Sequence, residues 1–473
     1  MKKWVTLILG LSPLLAFSQK ITVSEPITLR SDIAYDLIGG LGGRTLLFRD
    51  KNTSFEVVAF DQRMQETWSK ELELDPRQPK PIGVVGRKMD FVLLYQFRMR
   101  SHTLVKAHKY GPGANLLDSV AIMDLGTLFY SPNFVFERSE DRSKGLIYYI
   151  EKQDLIKAFA FDLDNMKLLW ETALQLEDFN AFQNFRQVIV DNEGNMTMIL
   201  EQDNYRSKRD AHLFEAYTFY GQSRELLKYD LPMNGRLTYD VKFTFDNVNG
   251  LLVGGGLYSD KNLGRADGFF YLSVDPYSPE HYRLAFSEFD EDFVASVMGK
   301  EADRAKGVSE VEVTDIVLRM DGGILLVNER NRTFERRTAN MSRTFYDVNG
   351  RFAVDYYYDE VFVISIHPNG EAHWKTVLHK KQYSQDDSGM YSSYFLFRTP
   401  TSLRFLFNDE IKYENTVSEY VLKGNGDYER NSLMSTENLK LRLRFRDALQ
   451  VSNSELIVPS ERRNRLRLVK LEF

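Results

Sequence analysis

The sequence contains no cysteine, and this absence excludes several kinds of structure and chemistry. A disulfide framework, a thiolate metal site and a cysteine nucleophile all require a thiol that the chain lacks. Beyond residue 15, no run approaches the ~20 consecutive apolar residues of a transmembrane helix. We therefore expect no transmembrane segment.

Common catalytic and nucleotide-binding motifs are also missing. The chain has no Gly-Lys-Ser/Thr phosphate loop, no Gly-x-Ser-x-Gly elbow and no Gly-x-Gly-x-x-Gly run that opens a helix. The formal charge of −6 is mild for 473 residues, whereas a general nucleic-acid binder is expected to be basic. We predict no catalytic residues and no nucleic-acid partner, so the pattern favours a binding protein over an enzyme.

The first 18 residues have the pattern of a secretory signal peptide. Two lysines precede an apolar run at residues 4–15, and Ala16 and Ser18 place small residues at the positions that signal peptidase recognises. Cleavage is expected between Ser18 and Gln19, which leaves residues 19–473. We predict an exported bacterial protein that is periplasmic, extracellular or at the cell surface.

Three stretches share one pattern, in which an apolar strand, a polar turn and a second strand carry a Trp followed four residues later by a Leu. They lie at residues 59–72, 160–174 and 365–378. Their paired positions are Trp68 with Leu72, Trp170 with Leu174, and Trp374 with Leu378. A recurring unit of this kind is the signature of a repeat architecture. We predict a structural role in which each Trp packs one repeat against the next.

A second pattern, two apolar strands joined by a tight polar turn, occurs eight times. These hairpins lie at residues 35–48, 82–95, 134–150, 188–200, 243–253, 316–327, 395–407 and 448–458. Because a four-stranded propeller blade repeats at about 40–50 residues, one hairpin and one Trp unit make one blade. We predict an all-β fold, a single eight-bladed β-propeller over residues 19–473, with seven blades as the alternative.

The two ends of the chain predict how this ring closes. Only one strand follows the eighth hairpin, at residues 466–473, so the last blade lacks its fourth strand. Residues 21–29 provide an additional strand before the first hairpin. Pairing these two strands in one blade closes the ring and leaves no broken edge.

The Trp-x-x-x-Leu units, with the Asp- or Gly-containing turns before them, resemble repeats of the pyrroloquinoline-quinone (PQQ)-like β-propeller family. The resemblance implies an eight-bladed ring. The family includes many non-enzymatic scaffolds. The quinone dehydrogenases of that family use a vicinal cysteine pair and a bound calcium. Because this chain has no cysteine, we expect a non-quinone member and predict no cofactor.

The loops of such a ring divide between two faces. The first face carries the loops that join strand 1 to strand 2 and strand 3 to strand 4, and these are short. The second face carries the loops between strands 2 and 3 and the crossings between blades. It holds the main insertions, at residues 290–310 and 328–358, with a short helix expected within residues 292–306. Because long loops are often functional, we place the binding site on the second face, the alternative being hairpin tips without a partner.

Basic and aromatic residues on the second face are the candidate contacts for a partner. The basic candidates, all placed in loops between strands 2 and 3, are Arg206, Lys208, Arg209, Arg265, Arg330, Arg332, Arg336 and Arg337. The aromatic candidates are Tyr356, Tyr357 and Tyr358, at the end of the longest insertion. The alternatives are solvated hairpin faces for the basic set and packing between blades for the tyrosines.

Histidine spacing does not favour a metal site. His102 and His108, and then His367, His373 and His379, recur six residues apart. In a strand, six residues span ~20 Å, which is too far for shared ligation. His367 and His373 flank a turn and are expected to approach each other, but a pair without a third ligand indicates a hairpin surface. We predict no metal.

Two functional hypotheses follow. The first is a protein–protein platform in the bacterial envelope, supported by the repeat resemblance, the missing catalytic motifs and the one-sided insertions. The alternative is a carbohydrate-active or lectin-like propeller that binds a polysaccharide or another anionic ligand. A glycoside hydrolase would need two carboxylates that face each other across a pocket.

Overall fold

Strands with alternating apolar and polar residues pair into eight antiparallel sheets in the computed structural model. The structure describes residues 19–75, 79–304, 306–337, 352–409, 411, 416–435 and 439–473. Residues 1–18, which carry the predicted signal peptide, lie outside the described residues. The sheets are the blades of an eight-bladed β-propeller, so the predicted fold is confirmed with eight blades and not seven.

Two short strands, β1 (Lys20–Val23) and β2 (Ile27–Thr28), precede the first blade. Blade 1 consists of β3 (Ala34–Leu41), β4 (Arg44–Asp50), β5 (Phe55–Phe60) and β6 (Glu66–Leu72). Blade 2 consists of β7 (Lys80–Gly86), β8 (Phe91–Met99), β9 (His102–Tyr110) and β10 (Leu116–Thr127). Blade 3 consists of β11 (Val135–Arg138), β12 (Lys144–Glu151), β13 (Leu155–Asp162) and β14 (Lys167–Gln175). Blade 4 consists of β15 (Phe185–Val190), β16 (Met196–Gln202), β17 (Leu213–Tyr220) and β18 (Glu225–Pro232).

The second half of the ring is built in the same way. Blade 5 consists of β19 (Leu237–Asp246), β20 (Leu251–Ser259), β21 (Gly268–Val274) and β22 (Arg283–Glu288). Blade 6 consists of β23 (Val311–Leu318), β24 (Ile324–Arg337), β25 (Phe352–Ile366), β26 (Ala372–Leu378) and the added β27 (Gln382–Gln385). Blade 7 consists of β28 (Tyr394–Arg398), β29 (Ser402–Asn408), β30 (Thr416–Lys423) and β31 (Tyr428–Ser435). Blade 8 begins with β32 (Leu449–Gln450), β33 (Glu455–Arg462) and β34 (Arg465–Glu472).

Each predicted hairpin forms the first two strands of one blade. In the first, Gly42 and Gly43 have φ values of 57° and 75°, so they make a two-residue turn that pairs Leu41 with Arg44. Such a turn needs positive φ at both central residues, which glycine adopts without strain.

The chain ends close the ring as predicted. Strand β1 pairs antiparallel with β34, from Lys20 opposite Glu472 to Val23 opposite Val469. Strand β2 continues the same pairing, with Ile27 opposite Leu466. Blade 8 therefore contains both ends of the described chain, and its outer strand comes from the N-terminal side.

The hydrophobic core is divided into eight clusters, and each cluster lies between two neighbouring blades. Between blades 8 and 1, for example, Ile457 and Leu468 pack against Leu47 and Phe60. Side chains from both faces of every blade are buried, because each sheet is covered by a neighbour on either side. The ring therefore has as many hydrophobic interfaces as blades.

The tryptophans hold blades together, as the sequence predicts. Trp170 in blade 3 is only 2% exposed, and its Nε1 donates to the main-chain oxygen of Gly194 in blade 4 at 2.8 Å. Trp374 in blade 6 donates to the oxygen of Gly424 in blade 7 at 3.0 Å. Trp68 is half-buried against the cluster between blades 1 and 2. Their partners Leu72, Leu174 and Leu378 lie in the clusters at the same three interfaces.

A single α-helix, α1 (Glu291–Met298), occurs among the described residues and overlaps the first half of the predicted helical segment at residues 292–306. The carboxylate of Asp290 caps it by accepting from the Phe293 main-chain N–H at 2.8 Å. Phe293, Val294 and Val297 pack into the cluster between blades 5 and 6. The helix thus covers that interface from the second face, and a 3₁₀ helix at Gly299–Arg304 follows it.

We expect Gly221→Ala to destabilise the ring because a Cβ at that position would lie 2.1 Å from Cδ1 of Trp170. Overpacking of this kind costs about 1–3 kcal/mol in free energy of unfolding. Trp170→Ala alone should lower the free energy of unfolding by about 3–5 kcal/mol. When Gly221→Ala is added to Trp170→Ala, the further loss should be clearly smaller than in the wild type, because the indole ring that the new Cβ would strike is absent. Urea denaturation measures all three variants.

Gly424→Ala is the matched control, because no atom lies within 4 Å of the position its Cβ would take. Equal losses of stability in Gly221→Ala and Gly424→Ala would contradict the proposed blade contact.

Candidate functional site

The largest insertion on the second face is a projection of blade 6. Residues 331–337 of β24 pair with residues 352–358 of β25, and β27 pairs with β25 on its other side. These residues were expected to form a long loop, and the structure instead continues the two strands beyond the blade. Residues 338–351, the predicted tip of the insertion, lie outside the described residues. We refer to the described three-stranded part as the blade-6 extension.

Ion pairs join the two predicted insertions into one unit. Arg330 is 6% exposed at its side chain and lies 2.5 Å from Glu301 and 3.3 Å from Glu310. Arg332 lies 3.2 Å from Glu301 and 3.6 Å from Asp359. Burial alone would raise the pKa of Glu301, but the two guanidinium groups hold it below its ordinary value. Both arginines are therefore engaged within the protein.

Three further basic candidates lie on the 3₁₀ helix at Arg206–Ala211, in the loop between β16 and β17. Lys208 lies 2.9 Å from the carboxylate of Asp203, and Arg209 donates to a main-chain oxygen at 3.2 Å. Arg206 is exposed, and no described residue forms a hydrogen bond or ion pair with its side chain. Only one of these three cations thus faces solvent without a partner among the described residues.

The remaining basic candidates are divided between a loop and a strand. Arg265 follows β20 and lies 2.8 Å from Asp267. Arg336 and Arg337 belong to β24, opposite Ala353 and Phe352 of β25, and so extend the blade-6 strands rather than a loop. The predicted basic set is spread over blades 4, 5 and 6 and does not converge on one point.

The three tyrosines lie in β25 at the base of the blade-6 extension and are half-buried. Tyr357 packs against Tyr383 of β27 with ring centroids 5.1 Å apart. The guanidinium carbon of Arg446 lies 4.6 Å from the centroid of Tyr358. Tyr356 pairs across the sheet with Ser384. These contacts favour the packing interpretation over a free stacking surface.

Sequence inspection missed three aromatic side chains that the second face exposes. Phe129 and Tyr130, in the crossing from blade 2 to blade 3, are 93% and 88% exposed. Phe182, in the next crossing, is 81% exposed. The signal available in the sequence is a large aromatic residue inside a segment rich in Ser, Pro, Asn and Gln, where turn residues are expected.

The central channel contains several cavities. One of about 630 Å³ lies between blades 1, 2, 3 and 8, and a second of about 750 Å³ opens toward the turns of the first face. Ile38, Gly86, Arg142 and Leu449 line both, so the two cavities lie next to each other. Volumes in this range are typical of small-ligand sites.

A third channel cavity, of about 450 Å³, is lined by three carboxyl residues of blades 5 and 6. Asp240 accepts from the main-chain N–H of Val313 at 2.7 Å, and burial raises its pKa. Glu312 accepts from Asn331 at 2.8 Å. Glu329, the third, is held by a buried cation. Each carboxyl group is thus already engaged by the protein.

That cation is Lys380, on the crossing from blade 6 to blade 7. Its Nζ lies 2.6 Å from Oε1 of Glu329, and both side chains are 1% exposed. Ser393 donates to the other carboxylate oxygen at 2.5 Å, and Lys380 also donates to Gln382 at 3.0 Å. Burial lowers the pKa of Lys380. The pair fastens this crossing to the base of the blade-6 extension.

The histidines take separate positions. The rings of His367 and His373 do approach each other, with centroids 4.7 Å apart. His102 pairs with Asp124, and His108 lies between the hydroxyls of Tyr95 and Tyr110. In the part of the chain that the structure describes, no three or more His, Asp or Glu residues are grouped so as to hold a metal ion.

No helix within the described ranges has the length and apolar character needed to cross a membrane.

Comparison with known proteins gives a fold likeness only. No protein-family model matches the sequence, and no curated protein gives a significant match. The WD40 domain of SCAP from fission yeast is 8% identical, with a TM-score of 0.41 over 96% of this chain and 94% of that one. The β-propeller domain of the Trilobed protease from Pyrococcus furiosus is 11% identical, with a TM-score of 0.35 over 88% and 98%. The Nup133 β-propeller domain of Vanderwaltozyma polyspora is 10% identical, with a TM-score of 0.40 over 82% and 100%.

We expect Lys380→Met to lower the free energy of unfolding by about 3–5 kcal/mol, because it leaves the Glu329 carboxylate buried without its cation. The double variant Glu329→Gln/Lys380→Met should recover most of the lost free energy of unfolding, because it leaves no unpaired charge buried. Urea denaturation measures both.

The control is Lys423→Met, which removes an exposed ion pair with Glu429 and should cost less than about 1 kcal/mol. If the two single variants lose the same stability, the buried pair does not have the role assigned to it.

Proposed function

We propose that this protein is an exported, non-enzymatic β-propeller that binds a protein partner in the bacterial envelope through its second face. The observation that carries the proposal is the exposure of Phe129, Tyr130 and Phe182 on two successive crossings of that face. Aromatic residues are enriched in protein interfaces and supply many of the residues that dominate binding energy.

The energetic reason is the apolar area that these rings leave in water. An aromatic side chain buries roughly 150–250 Å² in a core or an interface. At about 25 cal/mol per Å² of apolar surface, covering each ring stabilises a complex by several kcal/mol before the costs of association. A folded protein gains nothing by presenting three such rings to solvent, so a partner that covers them accounts for their position.

The rest of the second face supports the same proposal. The ion pairs of Arg330 and Arg332 with Glu301 fix the blade-6 extension to the segment that follows α1. Lys380 and Glu329 fix the crossing to blade 7. A surface held in this way loses little conformational entropy when a partner docks.

The alternative function, a carbohydrate-active or carbohydrate-binding propeller, relies on the acids of the channel. Asp240, Glu312 and Glu329 do line one cavity, but each carboxyl group already has a partner in the protein. A glycosidase pair needs one carboxyl group free to protonate the leaving group and one free to attack or to activate water. The engaged acids therefore favour the platform over the hydrolase.

Export and the likeness to PQQ-like repeats are parts of the proposal that rest on the sequence. The basic N-terminal residues, the apolar run and the small residues at 16 and 18 support export. The Trp units support the repeat family, and the missing cysteines support a member without quinone chemistry.

Replacing the three exposed aromatic side chains should abolish partner binding without disturbing the propeller. We expect Phe129→Ser/Tyr130→Ser/Phe182→Ser to capture its main envelope partner at least tenfold less than the wild type, at an unchanged melting temperature. The measurement is affinity capture from the envelope of the source bacterium, quantified by mass spectrometry.

The matched control is Met89→Ser/Val248→Ser/Met320→Ser, which removes three exposed apolar side chains from first-face turns. It should retain the partner within about twofold of wild type. Loss of the partner from the control, or its retention by the second-face variant, would refute binding through the second face.

Export is tested separately by the N-terminus of the mature protein. Protein recovered from the envelope should begin at Gln19, and Ala16→Arg should block cleavage because signal peptidase requires a small residue there. Intact-mass spectrometry of both proteins gives the result. A cytoplasmic protein that retains Met1 in the wild type would show that export is wrong.

A further inference from the structure

We infer that the channel between blades 1, 2, 3 and 8 binds an oxyanion, the carboxylate or phosphate group of a small ligand, through the guanidinium groups of Arg138 and Arg142. This site is separate from the proposed protein-binding face. It lies inside the ring and opens toward the first face.

Two neighbouring positions of blade 3 supply the cations. Arg138 is the last residue of β11, and Arg142 lies in the turn that leads into β12. Both line the cavity of about 630 Å³, and Arg142 also lines the adjoining cavity of about 750 Å³. The turn therefore places Arg142 where the channel opens to the first face.

Neither arginine has a carboxylate partner among the described residues. Arg142 is half-buried, and its Nη1 donates to the main-chain oxygen of Gly86 at 3.1 Å. Burial and the nearby charge of Arg138 lower the pKa of Arg142. Arg142 is thus a partly buried cation with a second cation, Arg138, nearby. An anion bound at this point would offset both positive charges.

Three neighbouring arginines form ion pairs with carboxylates, whereas Arg446, which lines the same cavity as Arg138, lies over the ring of Tyr358 instead. Arg49 lies 2.7 Å from Asp32, and Arg87 lies 2.7 Å from Asp90. Arg444 lies 2.5 Å from Asp447 and 2.5 Å from Glu461. Among the described residues, Arg138 and Arg142 thus lack the direct carboxylate contact that Arg49, Arg87 and Arg444 have.

One acid, Asp36, faces the same cavity near Arg138. The charge of Arg138 lowers its pKa, but reduced solvation inside the channel outweighs this effect and raises the pKa overall. Asp36 carries at most one negative charge, which is not enough to balance two guanidinium groups. Glu461, which also lines the cavity, is already bound by Arg444.

The chemistry of the guanidinium group identifies the ligand class. Its planar fork of N–H donors matches carboxylate and phosphate oxygens, often with two parallel hydrogen bonds. The cavity volume suits a small molecule or the end of a larger one. Carboxylate and phosphate ligands share the oxyanion that the two arginines would bind. Separate titrations with a phosphate and with a carboxylate probe distinguish the two.

The test titrates the full chain with inorganic phosphate and with citrate, in separate calorimetric experiments at an ionic strength held constant with chloride. We expect saturable binding of at least one of the two anions. The variant Arg138→Gln/Arg142→Gln should bind that anion at least tenfold more weakly.

The control is Arg63→Gln/Arg224→Gln, which removes two exposed arginines from first-face turns and should bind within about twofold of wild type. The absence of saturable binding of both anions to wild type, or equal weakening in the two variants, would overturn the inference.

A stability measurement separates a ligand site from a structural role. Because Arg138 and Arg142 satisfy no buried carboxylate, Arg138→Gln/Arg142→Gln should melt at or above the wild-type temperature without added anion. A melting temperature lower by several degrees would show that the two arginines support the fold, and would overturn the inference.

Discussion

The packing of each blade on the next is the interaction on which the rest of the structure depends. No blade has a core of its own, because its two faces are buried only when both neighbours are present. The ring must therefore be complete, and the cluster between blades 8 and 1 is as necessary as any other. Strand β1 provides this completion by pairing with β34, so that the outer strand of the last blade comes from the start of the described chain.

Because packing between blades holds the propeller together, its loops can differ in length and sequence from blade to blade. The turns of the first face keep the blades in register, while the second face carries the blade-6 extension, α1 and the exposed aromatic crossings. Glu301 joins the two insertions by binding Arg330 and Arg332, which lie 29 and 31 residues further along the chain. Arg330 and Arg332 therefore fix the shape of this face, whereas Phe129, Tyr130 and Phe182 remain exposed on it.

Local patterns were sufficient to predict the fold, because hairpins, Trp units and the unpaired terminal strands are visible over a few residues each. The conformation of the insertions was not predictable in the same way. Arg330 was expected to be a free loop cation, but it lies in a strand and binds Glu301 from another insertion, a contact that only the folded ring creates. Arg142 was missed because its significance is that it contacts a main-chain oxygen of blade 2 and no carboxylate among the described residues, and the sequence does not show what faces it.

Site-specific photo-crosslinking tests the central claim, that the second face of this ring is its binding surface. A photoreactive amino acid is placed at Tyr130 or Phe182 on the second face, or at Val248 or Met320 on the first. In envelope preparations, we expect one discrete crosslinked partner from both second-face positions and none from the first-face positions. Crosslinks to the same partner from Val248 and Met320, with none from Tyr130 and Phe182, would contradict it.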